Sequence, residues 1–271
     1  MGIWLGPMGN HVIQEGDFYY EGNYTFTSDG KNWELALLDG TAASLVFYKN
    51  PGKVDIFAVA GGQPGGATNP NDPNYSAYNG PSKGGDGGNG GGCVTEEAVA
   101  MAANTNYAVT IGDSAESTTL AGGDLNIVAA SGNGSSGGTG GNGTYSQGHT
   151  DATPGADGVY AYGKSSDTLM TASFIGHKFG QGGGGAGCMV YHNQNNNALY
   201  ALGGESNGPN HEYGKGGEYN EYRRNGSSGY PNHGQGGGGA YFYWIASGSG
   251  RSASGTPGNG GSGVVFIRNA R

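Results

Sequence analysis

Short apolar runs broken by turn dipeptides dominate the first sixty residues. Tyr24-Thr25-Phe26-Thr27, Trp33-Glu34-Leu35-Ala36-Leu37-Leu38, Ser44-Leu45-Val46-Phe47-Tyr48 and Val54-Asp55-Ile56-Phe57-Ala58-Val59-Ala60 are rich in β-branched and aromatic residues, with Asp29-Gly30, Asp39-Gly40 and Pro51-Gly52 between them. Such runs predict antiparallel strands. Further strands are predicted at Tyr107-Ala108-Val109-Thr110-Ile111, Leu125-Asn126-Ile127-Val128-Ala129, Tyr241 to Ile245 and Val264-Val265-Phe266-Ile267. No segment carries a long stripe of 3.6-residue period with caps at both ends, and the best helical candidate is the stretch from Glu96 to Ala103.

Between the strands lie glycine tracts with a polar residue at every third position. Gly84-Gly85-Asp86-Gly87-Gly88-Asn89-Gly90-Gly91-Gly92 has this form, as does Gly137-Gly138-Thr139-Gly140-Gly141-Asn142-Gly143-Thr144 in phase with Ser136. Thr256, Asn259 and Ser262 repeat the spacing near the C-terminus. An extended left-handed helix of the polyproline type has three residues per turn, so this period puts every side chain on one edge and leaves two edges bare. Bare edges let neighbouring backbones approach and exchange N–H···O=C bonds, which satisfies their polar groups with almost no side chains between them. Collagen would need one glycine in three over long proline-rich runs, whereas here two positions in three are glycine. A flexible glycine linker is the plain alternative, but linkers have no reason to repeat. Two tracts are near copies: Gly180-Gln181-Gly182-Gly183-Gly184-Gly185-Ala186 recurs 54 residues later as Gly234-Gln235-Gly236-Gly237-Gly238-Gly239-Ala240. Each opens into an apolar exit, as a structural repeat unit would.

The expected fold is therefore all-β: an antiparallel frame, sandwich or jelly-roll-like, with an inserted bundle of polyglycine type II helices and very little α-helix. Residues 1–60 are expected to form an N-terminal β or attachment segment, and 61–271 the glycine-rich domain with its binding loops. The strut glycines are Gly84, Gly85, Gly87, Gly88, Gly137, Gly138, Gly140, Gly141, Gly182, Gly183, Gly184, Gly185, Gly236, Gly237, Gly238 and Gly239.

Composition narrows the function. Gly (61) and Pro (10) supply about a quarter of the 271 residues, far above ordinary usage. No apolar run nears the length of a membrane span. A net charge of −9 with only 12 Lys+Arg argues against nucleic acid, which wants a basic footprint. Disorder is opposed by 18 tyrosines. The N-terminus lacks the pattern of a secretory signal, so the Asn-x-Ser/Thr matches carry little weight. Cys93 and Cys188 are too few for a disulfide scaffold and have no zinc spacing.

Catalytic motifs do not survive inspection. Gly158 to Ser165 matches the P-loop pattern, but Val159, Tyr160 and Tyr162 crowd the loop and Ser-Asp-Thr follows in place of a helix. Gly134-Ser135-Ser136-Gly137-Gly138 fits the nucleophile elbow, again with no following helix. The histidines (His11, His149, His177, His192, His211, His233) show no metal spacing, and the carboxylates are scattered. No cofactor, metal or catalytic residue is predicted. One region does point to chemistry. Between Tyr191 and Trp244, tyrosine, histidine and arginine recur among Asn, Ser and Gly. That is the composition of a recognition surface on loops, against the plainer reading that the rings pack flat on glycine faces. Tyr213, Tyr219, Tyr222, Arg223, Arg224 and Tyr230 are the candidate receptor-binding residues: rings to stack on sugars or apolar side chains, and planar donors for carboxylate or phosphate.

Several segments carry a resemblance. They are Tyr24-Thr25-Phe26-Thr27 with Asp29-Gly30 and Asn32-Trp33, then Gly52 to Gly62, Tyr107 to Gly112, and Gly260-Gly261-Ser262-Gly263-Val264-Val265-Phe266-Ile267-Arg268. On these the chain resembles glycine-rich tail proteins of tailed bacteriophages. In its alternation of struts and variable loops it is similar to the tail-tip adhesins of T-even-like phages, from which it differs in its long strand-rich N-terminal part. The β-frame with inserted glycine tracts also resembles the glycine-rich domain of the anaplastic lymphoma kinase ectodomain. The resemblance implies a phage adhesin without catalytic activity that binds a bacterial surface glycan or protein, alongside other phage tail proteins. Residence in the virion, release by host lysis and a homo-oligomeric state are compatible with it; nucleic-acid binding and membrane insertion are not expected. The alternatives are a structural tail or particle-surface component without a receptor of its own, and a glycan depolymerase.

Overall fold

A computed structural model describes residues 12–68, 82–140, 142–144, 148–149, 151–164, 169–191, 203–204, 213–217, 225–245 and 251–271. Two five-stranded antiparallel sheets face each other. The first runs β1 (Phe18–Tyr20), β4 (Ala43–Phe47), β8 (Asn106–Thr110), β9 (Thr118–Gly122), β10 (Leu125–Ala129). The second runs β2 (Tyr24–Ser28), β3 (Trp33–Leu37), β16 (Val264–Asn269), β5 (Gly52–Val59), β7 (Cys93–Met101). Strand alternation sends Leu45, Phe47, Val109, Leu120 and Ile127 from one sheet against Leu35, Leu37, Ile56, Val265 and Ile267 from the other. The expected all-β frame is what the chain builds, and its strands other than β1, β7 and β9 coincide with the predicted apolar runs.

The central strands of the second sheet, β3, β16 and β5, are buried on both faces. Their outer residues Ala36, Phe57, Val59, Val264 and Phe266 lie under a cover made by 159–164 and 169–179, through Tyr162, Leu169, Phe174 and Phe179. A buried polar cluster fastens this cover. Arg268 of β16 sits in register between Glu34 and Asp55 on the flanking strands, bonds Asp55 Oδ2 at 3.2 Å, and lies 3.7 Å over the Tyr162 ring. Glu34 Oε1 accepts the Met170 and Thr171 N–H groups and the Thr171 hydroxyl at 3.0–3.1 Å. Burial raises the Glu34 pKa despite those donors.

Two expectations change. The stretch from Glu96 to Ala103 is not helical: Cys93–Met101 forms edge strand β7 on β5. A bulge hides its strand character, because the register shifts between Val54 and Ile56 and Ala98 turns to φ 52°, its N–H held by Asp55 Oδ1 at 3.0 Å. Residues 1–60 are also not a unit of their own. The C-terminal strand β16 lies between β3 and β5, and β8 pairs with β4, so both sheets need strands from beyond residue 60.

Candidate functional site

The glycine tracts leave the sandwich as extended struts that bond one another with a period of three. Strut 84–92 shows it on every side. The N–H groups of Gly85, Gly88 and Gly91 donate to the carbonyls of Ala240, Gly237 and Gly234. Those of Gly87 and Gly90 donate to Gly138 and Ser135. Asn89, Asp86 and Gly92 carbonyls accept from Gln63, Gly66 and Ala60, while Gly88 and Gly85 accept from Gly183 and Ala186. Stepping three residues on one strut steps three on its neighbour, the spacing that three residues per turn predicts. At each described strut glycine predicted from the sequence, an added methyl would run into a neighbouring backbone carbonyl: Gly87 into Gly183, Gly140 into Gly84, Gly239 into Gly85. Gly141 lies outside the described residues. The interleaved polar residues behave as the period requires: Asp86, Asn89, Asn133, Ser136, Thr139, Thr256 and Asn259 are all exposed.

The two sequence copies run side by side, with Gly236 and Gly239 donating to the carbonyls of Gln181 and Gly184. Each begins at a glycine of positive φ, 65° at Gly180 and 61° at Gly234, where the chain turns upward into the bundle. The preceding residues stack on each other: the Phe179 and His233 rings are 5.1 Å apart and 11° from parallel. Gln181 and Gln235 are both buried, and Gln235 Oε1 accepts the Tyr230 N–H at 2.8 Å.

The bundle has two distinct ends. One adjoins the sandwich, where 60, 92, 134, 180, 234 and 263 meet strands or the cover. At the other lie two three-stranded sheets. One runs β12 (Gly148–His149), β11 (Asn142–Thr144), β6 (Ser82–Lys83); the other runs β13 (Cys188–Tyr191), β14 (Phe242–Ile245), β15 (Arg251–Ser254). Strut 84–92 implies a length of about 25 Å between these ends at 3.1 Å per residue. Cys93 and Cys188 stand at opposite ends and are not joined in a disulfide, and burial pushes the Cys93 thiol up to about 12.

Of the six candidate receptor residues, Tyr219, Tyr222, Arg223 and Arg224 lie outside the described residues, in the segment between Gly217 and Asn225. On either side of it, Gly217 bonds Gly187 and Gly239, and Gly226 bonds Thr256. Tyr213 and Tyr230 are brought together, ring centroids 4.6 Å apart, but both are half-buried and lie toward the sandwich. Tyr230 leans on His233 at 4.2 Å, and the rings continue through Phe179 and Phe174 to Phe266 of β16. Within this ladder His177 Nδ1 lies 2.7 Å from His233 Nε2. His233 Nδ1 lies 2.7 Å from the Pro231 carbonyl, which can only accept. The hydrogen-bond network therefore assigns the His233 proton to Nδ1, leaving Nε2 to accept from His177 Nδ1–H. Burial lowers the pKa of both imidazoles, that of His233 to about 4. Sequence spacing missed this pair, 56 residues apart; the alignment of Phe179-Gly180-Gln181 with His233-Gly234-Gln235 was the one signal that could have placed His233 at a strut base.

A family described as a glycine-rich domain matches residues 39–270. The chain belongs to that family. The match takes in the bundle, the cover and all but the first strands of the sandwich, so the glycine-rich character spans one folded unit. No curated protein and no solved structure matches the chain.

The two catalytic patterns fall on a strut and on the cover. Ser136 is an exposed strut residue with no helix after it, and Tyr162 of the P-loop match is a buried cover residue at φ 56° in a single 3-10 turn, Ala161–Gly163. Among the described residues, no group of three or more His, Cys, Asp or Glu could hold a metal ion.

Proposed function

We propose that the protein is a phage tail adhesin that binds a bacterial surface glycan or protein, acting by recognition and not by catalysis. The observation that supports this most is the division of labour between the two ends of the bundle. The sandwich end is closed by apolar packing and the buried Arg268–Asp55 ion pair. At the far end the struts instead run into two short three-stranded sheets, β12-β11-β6 and β13-β14-β15. Recognition is commonly seated on the parts of a chain that a rigid scaffold holds away from its core. Tyr219, Tyr222, Arg223 and Arg224 follow Gly217 in sequence, and Gly217 bonds struts at that end, so this reading keeps those four as its candidates. Tyr213 and Tyr230 serve the ring ladder first. In this reading the sandwich faces the virion tail and other tail proteins.

The test is adsorption of the labelled full chain to a panel of whole bacteria, with thermal melting as the fold control. Alanine at Tyr222 or Arg223 is expected to cut binding about tenfold or more with unchanged melting, as hot-spot residues do. Tyr230→Ala is expected to lower the melting temperature. Binding untouched by every one of these changes would place the surface elsewhere. Release of soluble sugar from the cells would instead indicate the depolymerase.

A further inference from the structure

We infer that four Asn-Gly steps in the struts are latent deamidation sites, held closed by inter-strut hydrogen bonds and exposed to chemistry when the struts part. The steps are Asn89-Gly90, Asn133-Gly134, Asn225-Gly226 and Asn259-Gly260.

The reaction needs no reagent but water. The backbone nitrogen of the glycine loses its proton and attacks Cγ of the asparagine. A C–N bond forms, the Cγ–Nδ2 bond breaks, and ammonia leaves with the proton. Water then opens the five-membered imide at either carbonyl, giving aspartate or isoaspartate. Glycine in second place offers the least hindrance to that attack, and all four asparagines are exposed, so solvent reaches them freely.

What restrains the reaction is the nucleophile. Each of the four glycine N–H groups is committed to a partner at 2.9 Å: Gly90 to the Ser135 carbonyl, Gly134 to the Gly90 carbonyl, Gly226 to the Thr256 carbonyl, and Gly260 to the Ser114 hydroxyl. Two electrophiles are restrained as well. Asn89 Oδ1 accepts the Gly137 N–H at 3.0 Å, and Asn225 Oδ1 accepts the Thr256 N–H at 2.9 Å. To reach Cγ, the glycine nitrogen must give up its bond and leave the lattice of struts.

The same architecture explains why the labile pair recurs. Period three places a polar residue on the exposed edge and a packed residue directly after it. A methyl at Gly90, Gly134, Gly226 or Gly260 would meet the carbonyl oxygen of Gly180, Gly91, Gly238 or Gly62. At these four positions the edge asparagine is thus followed by a glycine that the packing requires, and the same packing occupies its N–H.

The full chain is incubated in mildly alkaline buffer, folded and in unfolding urea, and the four sites are followed by peptide mass mapping. The folded protein is expected to react at least about tenfold more slowly at all four, since the rate is scaled by the opening equilibrium of the struts. Gly137→Ala, which drives a methyl toward the Gly87 carbonyl and disturbs the bond to Asn89, is expected to speed reaction at Asn89 in the folded state. Should that variant not fold, the parent decides alone: across rising urea the four rates should climb together with strut opening. Equal rates in folded and unfolded parent at these sites, or a folded Gly137→Ala with an unchanged Asn89 rate, would overturn the inference.

Discussion

The imidazole of His233 lies between Phe179 and Tyr230, with one nitrogen turned to the Pro231 carbonyl and the other to His177. The Pro231 carbonyl favours a protonated ring, but burial and the neighbouring His177 oppose one and prevail. A proton on His177 Nε2 leaves the bond intact, whereas a proton on His233 Nε2 requires His177 Nδ1 to change from donor to acceptor. The pKa of His233 falls from 6.5 to about 4, mainly through burial, with His177 adding to it. A depressed pKa means that the unfolded chain takes up a proton the folded chain refuses. The stabilising effect is therefore complete above pH 6.5 and declines as pH falls toward about 4, by an amount of at most about 3 kcal/mol. Glu34 works the other way, since burial raises its pKa and acid relieves its charge. A comparison with His233→Phe, the residue type of the other copy, isolates the imidazole. The variant should lose less melting temperature than the parent between neutral pH and about 4; parallel losses would show that the pair does not govern the acid limb.

Struts obey rules unlike those of strands and helices. In an ordinary loop, Gly→Ala at a compatible backbone position stabilises slightly by restricting the unfolded chain. Here the added methyl meets a backbone carbonyl that cannot rotate away, Gly183 for Gly87 and Gly84 for Gly140. Both substitutions should destabilise by about 1–3 kcal/mol, as overpacking does. Asn89→Ala and Thr139→Ala, on the exposed edge, should cost no more than about 1 kcal/mol, the scale of one partly solvated hydrogen bond. Urea melts of the four variants check this, and unchanged stability in both glycine variants would mean that the tracts are not packed. Strand β7 carries a related lesson: its bulge at Ala98 breaks the alternation that would have marked it as a strand.

Across the whole molecule, the last strand holds the parts together. Strand β16 is central in the second sheet and buried on both faces, with Val265 and Ile267 in the sandwich core and Val264 and Phe266 under the cover. It follows directly from strut 256–263, whose Gly258 and Gly261 bond Gly238 and Gln235. Arg268 reaches Asp55 and Tyr162, and so fixes the cover. Deleting residues 264–271 should remove the cooperative melt of sandwich and bundle alike. A truncated chain that kept the parent's circular dichroism and melting temperature would show that the two parts fold independently.

The period along the chain determined much of this protein. Short apolar runs between turn dipeptides located most strands of the sandwich, and polar residues at every third position of the glycine tracts marked the edge that faces solvent, because both patterns are local to a segment. The glycine content likewise required close backbone packing. Tertiary structure alone decided what faces each segment. The seat of β16 between β3 and β5, the closure of both sheets by strands beyond residue 60, and the meeting of His177 with His233 all join residues far apart in sequence. Tyr213 and Tyr230 carry the same residue type as Tyr219 and Tyr222, and their composition gave no sign that Tyr213 would pack on Tyr230 and Tyr230 on a histidine at the base of a strut. Which ring is packing and which is free to bind depends on the neighbouring strut, and a strut's neighbours are set by hydrogen bonds between segments and not by the residues of either one.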